Sequence, residues 1–326
     1  MLLTFDGKTD KILALLYGEK MMNKQKLKGN LLLLLTAVVW GASFIAQSKG
    51  VEEISPVAFN GIRSTLGGVV LLPVIWFLDF KKKKSGKEVQ KIDKTLLWGG
   101  IACGILLCSA TTLQTAGMIY TSPGKSGFIT ALYMVLIPII NLFFGKKPRP
   151  ILIVSVLIAV AGLYLMCIDS SLSINKGDIM TFGCAFIFAG HILVIDRVSP
   201  KVDGVKLACM QFFVCGIINL IWMFFETPPS VQAVMNCTGA LAYSGIMSCG
   251  VAYTLQIVGQ KYTDPTSASI LMSLESVFAT LSTVILVALG WEITGGTLDA
   301  REIWGCVLMF VAIILVQLPE KTTKTP

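Results

Sequence analysis

The chain has 326 residues, of which 54% are hydrophobic and 14% charged, and its net charge is +8. Soluble domains carry roughly 25% charged residues, so a soluble surface of this size could not be covered. The composition excludes a soluble globular enzyme, a disordered chain and a secreted disulfide scaffold, and it leaves a polytopic membrane protein.

Residues 1–28 read as a cytoplasmic N-terminal tail. Met21-Met22 precedes Asn-Lys-Gln-Lys-Leu-Lys, a natural positive flank for a membrane helix, so translation is expected to start at Met21 or Met22. The first apolar run, Leu31 to Ala46, has the look of a signal peptide. Further apolar runs follow at once, which favours a retained first helix. Apolar segments then recur at 30–49, 56–78, 95–119, 123–144, 150–168, 177–196, 204–225, 238–260, 265–289 and 300–318. Each approaches the roughly 20 residues a bilayer-spanning helix needs. Continuous apolar runs lack the alternation of a membrane barrel, and backbone groups in lipid must be satisfied within the segment. The predicted fold class is an all-α integral membrane protein of ten transmembrane helices.

Basic residues alternate between the two sides of this layout. The N-terminal tail, the even-numbered loops with the span ends beside them, and the C-terminal tail hold 22 of the 27 Lys+Arg residues. The odd-numbered loops with their span ends hold Lys49, Lys125, Lys176 and Arg301, and Arg63 lies well within the second span. This bias places both termini in the cytoplasm of a plasma-membrane protein. It also argues against nucleic acid as the partner of the positive charge. The nine cysteines lie mostly inside apolar segments with no CxxC pair, which points to packing and not to a metal.

The chain repeats itself. Residues 113–123, Leu-Gln-Thr-Ala-Gly-Met-Ile-Tyr-Thr-Ser-Pro, match 255–265, Leu-Gln-Ile-Val-Gly-Gln-Lys-Tyr-Thr-Asp-Pro, at six of eleven positions. Ser55-Pro56 echoes Ser199-Pro200. Five spans per half put the two copies on opposite sides of the membrane, giving two inverted five-helix repeats at 29–168 and 174–318 and a cytoplasmic tail at 319–326. Inverted repeats are common in secondary transporters, with the substrate near the midplane. Within the motif, Gly117 and Gly259 suit close helix approach. Pro123 and Pro265 suit a first helical turn. Gln114 and Gln256 read as inter-helix hydrogen-bonders first and as substrate contacts second.

Several segments together resemble the EamA-type branch of the drug/metabolite transporter superfamily, over about residues 29–318. These are Trp40-Gly41-Ala42-Ser43-Phe44 in the first span, Ser55-Pro56 with Phe59 and Arg63, and Leu274-Glu275 with Gly290-Trp291-Glu292 and Gly305. The resemblance implies ten helices, no nucleotide, and transport of small metabolites such as amino acids, with export the expected direction. Two departures stand out. Glu275-Ser276 replaces the branch's frequent Glu-Pro, which predicts a straighter ninth helix. Gly145-Lys146-Lys147 replaces its Gly-Glu-Arg-like turn.

Ionisable groups inside membrane helices are costly and persist with a partner, a wet cavity or a task. Three stand out: Glu275 in the ninth span, Arg63 in the second and His191, the only histidine, in the sixth. At the repeat offsets they correspond to Tyr133, Leu207 and Gln47, so the scaffold is duplicated and these groups are not. Glu275 is a candidate for proton coupling or for holding a substrate amine, against a structural carboxylate bonded to neighbouring helices. Arg63 is a candidate for a substrate carboxylate or for pairing with Glu275, against snorkelling to the interface. His191 is a candidate proton relay, against a hydrogen-bonded core histidine. Trp40, Tyr133 and Tyr253 are candidate aromatic walls, with helix packing the first reading for Trp40. Gly124-Lys125-Ser126 is no phosphate loop, because Ile119 stands where that motif needs glycine.

The resulting expectation is a secondary transporter working by alternating access. Its partners would be a small-molecule substrate, the lipid bilayer and protons, with no cofactor, and with homodimer or monomer both open. An integral-membrane enzyme acting on lipid is the alternative, as is a non-transporting receptor or scaffold. The enzyme would want clustered His, Asp or Glu at one interface, which the sequence lacks.

Overall fold

The computed structural model describes residues 7–121, 123–145, 148–167, 175–290 and 300–317. Lys146-Lys147, Trp291-Glu292 and the tail 319–326 lie outside them. The described chain is helical, with no strand among the described residues. In chain order the helices are α1 (Gly7–Glu53), α2 (Pro56–Lys84), α3 (Lys94–Gly117), α4 (Pro123–Ala131), α5 (Tyr133–Phe143), α6 (Pro150–Cys167), α7 (Lys176–Val198) and α8 (Gly204–Met223). There follow α9 (Val231–Asn236), α10 (Thr238–Ala242), a π-helical stretch Tyr243–Ala252, α11 (Tyr253–Gln260), α12 (Pro265–Met272), α13 (Glu275–Ala288) and α14 (Ala300–Gln317).

Helix starts carry their own signals. Ser55 caps α2, with its hydroxyl accepting from the Ala58 amide and Pro56 in the first turn. Asp93 caps α3, Asp203 caps α8 and Asp264 caps α12 in the same way. Asn175 and Asp178 form a reciprocal capping box on α7. Each cap satisfies amides that the first turn leaves unpaired.

Among the described residues, eight segments are long and apolar enough to cross a membrane: Lys24–Glu53, Pro56–Lys84, Lys94–Gly117, Lys125–Phe143, Lys176–Lys201, Gly204–Met223, Thr238–Gln260 and Pro265–Ala288. Helices α6 and α14 carry shorter apolar stretches, Pro150–Gly162 and Ile303–Leu315, and pack along each other.

Packing pairs exchange between the two halves. α1 lies against α11 and α13, and α7 lies against α3 and α4. α3 packs on α8, and α2 packs on the π-helical stretch. α2 and α8 pack along one another. The first helix of each half thus docks into the other half.

Glycines set the closest approaches. A Cβ on Gly117 would sit 2.9 Å from the Gly177 carbonyl oxygen, and one on Gly259 3.0 Å from that of Gly29. These contacts make equivalent crossings, α3 on α7 and α11 on α1. A Cβ on Gly41 would fall 2.5 Å from Cβ of Phe278, which fixes α1 on α13. Gly100 and Gly104 similarly seat Met210 and Val214 of α8. Small residues drive such contacts where lipid provides no hydrophobic incentive.

The two ends of the bundle differ. At one end Lys82 pairs with Asp203 at 2.5 Å and Lys206 with Asp79 at 2.8 Å, while Lys261 Nζ donates to the Val202 carbonyl at 2.8 Å. At the other end Lys125 pairs with Asp178 at 2.8 Å, Ser55 donates to Glu226 at 3.0 Å and Asn236 donates to Glu53 at 2.9 Å. The two copies of the repeated motif lie at opposite ends, 113–123 beside Asp178 and 255–265 beside Asp203.

Candidate functional site

The fourth and ninth apolar segments are each broken near the middle. One break falls at Leu132, between α4 and α5, and the other at Ser273–Leu274, between α12 and α13. Leu132 and Leu274 are equivalent at the repeat offset of 142. At both breaks the backbone tightens to i−3 bonds, from the Leu132 amide to Ile129 and from the Ser276 amide to Ser273. The ninth segment, expected to be straighter for want of a proline after Glu275, thus tightens locally at Ser273–Leu274 while its backbone there stays right-handed helical. A proline after Glu275 is not needed for the break, and none stands at Leu132 either. Paired interruptions in corresponding segments mark the binding region of repeat-built transporters.

The repeat mates Tyr133 and Glu275 begin the helices after the two breaks, and they meet. Tyr133 Oη donates to Glu275 Oε1 at 3.1 Å. Both residues line a central cavity of about 30 Å³, room for roughly two or three waters. Trp40, Arg63, Gln114, Tyr253 and Gln256 also line it.

Arg63 does not snorkel to an interface, because its side chain is 3% exposed and turned into the bundle. Asn60, one turn earlier on α2, accepts from Arg63 Nε at 2.7 Å. The Phe59 ring lies 5.5 Å from the guanidinium carbon. No acidic side chain forms an ion pair with Arg63 among the described residues. Its positive charge therefore faces the cavity without a fixed counter-ion.

Gln47, Asn60 and Thr115 support this corner. Thr115 donates to Gln47 Oε1 at 3.3 Å and to Asn60 Oδ1 at 3.4 Å, while Asn60 Nδ2 donates to the Thr111 carbonyl at 3.2 Å. Sequence reasoning missed Asn60 and Thr115 as site residues, although Asn60 is one helical turn from Arg63 and so shares its face. Gln47 was visible only as the repeat mate of His191.

The two repeated glutamines, first read as scaffold, both reach the cavity wall. Gln114 Nε2 donates to Thr130 at 3.0 Å, and Gln256 Oε1 has no partner. Trp40 packs against Tyr253 with ring centroids 4.6 Å apart, and its indole N–H is unpaired. It therefore joins wall and packing in one residue. His191 is not part of the wall. It is fully buried, with Nε2 3.0 Å from Gln211 Oε1 and its ring edge-on to Tyr253. Among the described residues no His, Cys, Asp and Glu cluster could hold a metal ion.

One cavity thus presents an unpaired cation, a carboxylate and an aromatic wall inside an apolar helical bundle. Known proteins are similar to this chain. An uncharacterized transporter of Archaeoglobus fulgidus is 31% identical over 297 residues, covering 90% of this chain and 87% of its own length. The uncharacterized transporter YwfM of Bacillus subtilis is 24% identical over 312 residues, covering 92% of this chain and 98% of its own. A solved crystal structure with 18% identity superposes with a TM-score of 0.69, over 89% of this chain and 96% of that one. The profile of the EamA-like transporter family matches twice, over residues 27–168 and 175–318. With both halves matched and transporter relatives along nearly its whole length, this chain belongs to the EamA-like transporter family and is a multi-pass membrane protein.

Proposed function

We propose that the protein is a secondary transporter that carries small zwitterionic metabolites, amino acids or close relatives, across the plasma membrane by alternating access. The observation that carries this reading is the buried Arg63 with no carboxylate partner among the described residues, in the same cavity as Glu275. Arg63 would hold a substrate carboxylate through its free guanidinium fork. Glu275, oriented by Tyr133, would meet the substrate amine or accept a coupling proton. Trp40 and Tyr253 would cover the apolar body.

In this reading α6 and α14 complete ten membrane helices in two inverted five-helix repeats, at 29–168 and 174–318. Both termini lie in the cytoplasm, on the side of Lys81 to Lys84. Paired breaks, exchanged packing and motif copies at opposite ends support the inversion. A cavity of about 30 Å³ is too small for a metabolite, so binding requires the halves to part, as rocking about a midplane site provides.

The test is a panel of amino acids and related metabolites screened by thermal shift on purified protein, followed by flux of the hits in liposomes in both directions. Saturable flux that collapses with an imposed proton gradient supports coupling. Chemical turnover of lipid without flux would instead support the enzyme alternative.

A further inference from the structure

Between the cavity and the end bearing Lys82 and Lys206, packing leaves a strip of polar side chains incompletely paired. His191 and Gln211 bond each other, yet among the described residues His191 Nδ1 and Gln211 Nε2 have no partner. Gln260 Nε2 donates to the Ile192 carbonyl at 3.3 Å, yet its Oε1 has none. Gln256 Oε1, one turn earlier on α11, is also unpaired. All four side chains are essentially inaccessible. The strip is continuous with the cavity, since Gln256, Ile192 and Tyr253 line it and His191 lies edge-on to Tyr253. It runs along α7, α8 and α11 toward Lys261.

Buried polar groups are normally paired. A seam meant to stay closed would be better filled by apolar side chains, with no such groups to satisfy. Orphaned groups aligned along one seam fit a surface that is wet in another conformation, where water completes their hydrogen bonds.

The repeat supplies an internal control. The equivalent seam, between α1, α2 and α3, has Gln47 in the place of His191, Gln114 in that of Gln256, Gly67 in that of Gln211 and Met118 in that of Gln260, with Asn60 nearby on α2. There Gln47 bonds Ser43 and Thr115, Asn60 bonds Arg63 and Thr111, and Gln114 bonds Thr130. No side-chain atom of Gln47, Asn60 or Gln114 is both buried and unpaired.

We propose that the α7–α8–α11 seam is the closed half of the permeation path, lined by His191, Gln211, Gln256 and Gln260 when the halves part. This rests on the transport reading above. The four side chains offer neutral donors and acceptors, which suit water and an internally compensated zwitterion leaving Arg63 and Glu275. They offer no fixed charge that would trap an ion.

The test is hydroxyl-radical footprinting of the full chain in liposomes, read by mass spectrometry. Radicals generated in the local water label side chains that water reaches. His191 is the only histidine, so its oxidation is assigned without ambiguity. After correction for intrinsic reactivity, His191 is expected to label at least tenfold faster than the equally buried Leu207 and Phe59. Labelling at their background rate would overturn the proposal. A second arm replaces Gln211 and Gln260 together by Leu. A path predicts flux slowed tenfold or more in the folded, monodisperse variant, whichever way its Tm moves. Unchanged flux in that folded variant would mean a permanent core and would also overturn it. Flux without His191 labelling refutes the seam alone. Labelling without flux of any substrate refutes the transport reading and, with it, the permeation role.

Discussion

Replacing Arg63 by Gln tests the cavity's chemistry at its most distinctive group. In the structure Arg63 Nε is engaged by Asn60 at 2.7 Å, which leaves the two terminal nitrogens to grip a carboxylate side by side. Hydrogen bonds to charged groups contribute about 1.5–3 kcal/mol each. Losing the fork should therefore cost about 3 kcal/mol of substrate affinity, roughly 100-fold in Kd. The surroundings are buffered against the change, because Asn60 Oδ1 keeps its bond from Thr115. The assay is calorimetric titration of a transported metabolite and of its carboxamide, which lacks the negative charge. Wild-type protein should prefer the acid by roughly 100-fold, and Arg63→Gln should bind acid and amide within about threefold. If the variant still prefers the acid as strongly as wild type does, Arg63 is not the carboxylate site. If both ligands weaken equally, its role is structural.

Glu275→Gln should abolish flux driven by a proton gradient while leaving counterflow exchange intact, provided that the carboxylate carries the coupling proton. Unchanged gradient-driven flux would remove Glu275 from that role. Tyr133→Phe removes one hydrogen bond to Glu275 and should weaken substrate binding by about 1 kcal/mol, five- to tenfold in titration. Gly41→Ala forces a Cβ to within 2.5 Å of Phe278 Cβ and should lower stability by about 1–3 kcal/mol. Gly190→Ala and Gly239→Ala, where a Cβ meets nothing within 4 Å, should melt like wild type. Burial pushes the Asp203 carboxyl up, but the Lys82 ammonium and the first-turn amides of α8 outweigh it and hold the group below its ordinary value. A depressed carboxylate stabilises the fold above its unfolded pKa, near 3.9, and loses that contribution as pH falls through its folded value. Asp203→Asn should therefore flatten the decline of Tm at acid pH while lowering Tm at neutral pH. Parallel curves for the two proteins would refute this.

Much of the helical layout was readable because lipid demands length and continuity. The expected starts at 56, 204 and 265 fall beside the observed caps Ser55, Asp203 and Asp264. The repeat pointed to Tyr133 as the mate of Glu275, and the two residues meet. The breaks at Leu132 and Ser273–Leu274 left no mark, because neither rests on proline. They lie where α4 packs on α13 and α5 on α12, contacts between distant parts of the chain. Asn60 and Thr115 went unnoticed for a related reason. In a soluble helix the polar face points outward and the period reveals the core. In lipid both faces are apolar, so a few neutral polar residues do not announce which way they turn. Charge was the legible signal, and it found Arg63 and Glu275. It also found His191, which the fold places beside the cavity and not in its wall.

The crossings at Gly29 with Gly259 and at Gly117 with Gly177 bear on how the protein is made. The first helix of each half has its seat in the other half, so neither half is a free-standing folding unit. The partner of α1 emerges some 230 residues after Gly29. At about 5–20 residues per second, the leading helix waits roughly 10 to 50 s in the membrane before its seat exists. Throughout that wait Asn30 and Thr36 of α1 lack Thr263 and the Ala252 carbonyl, which they bond in the finished fold. Biogenesis is therefore interlocked in time, and a truncation that spares the whole first half should still leave it without a stable fold.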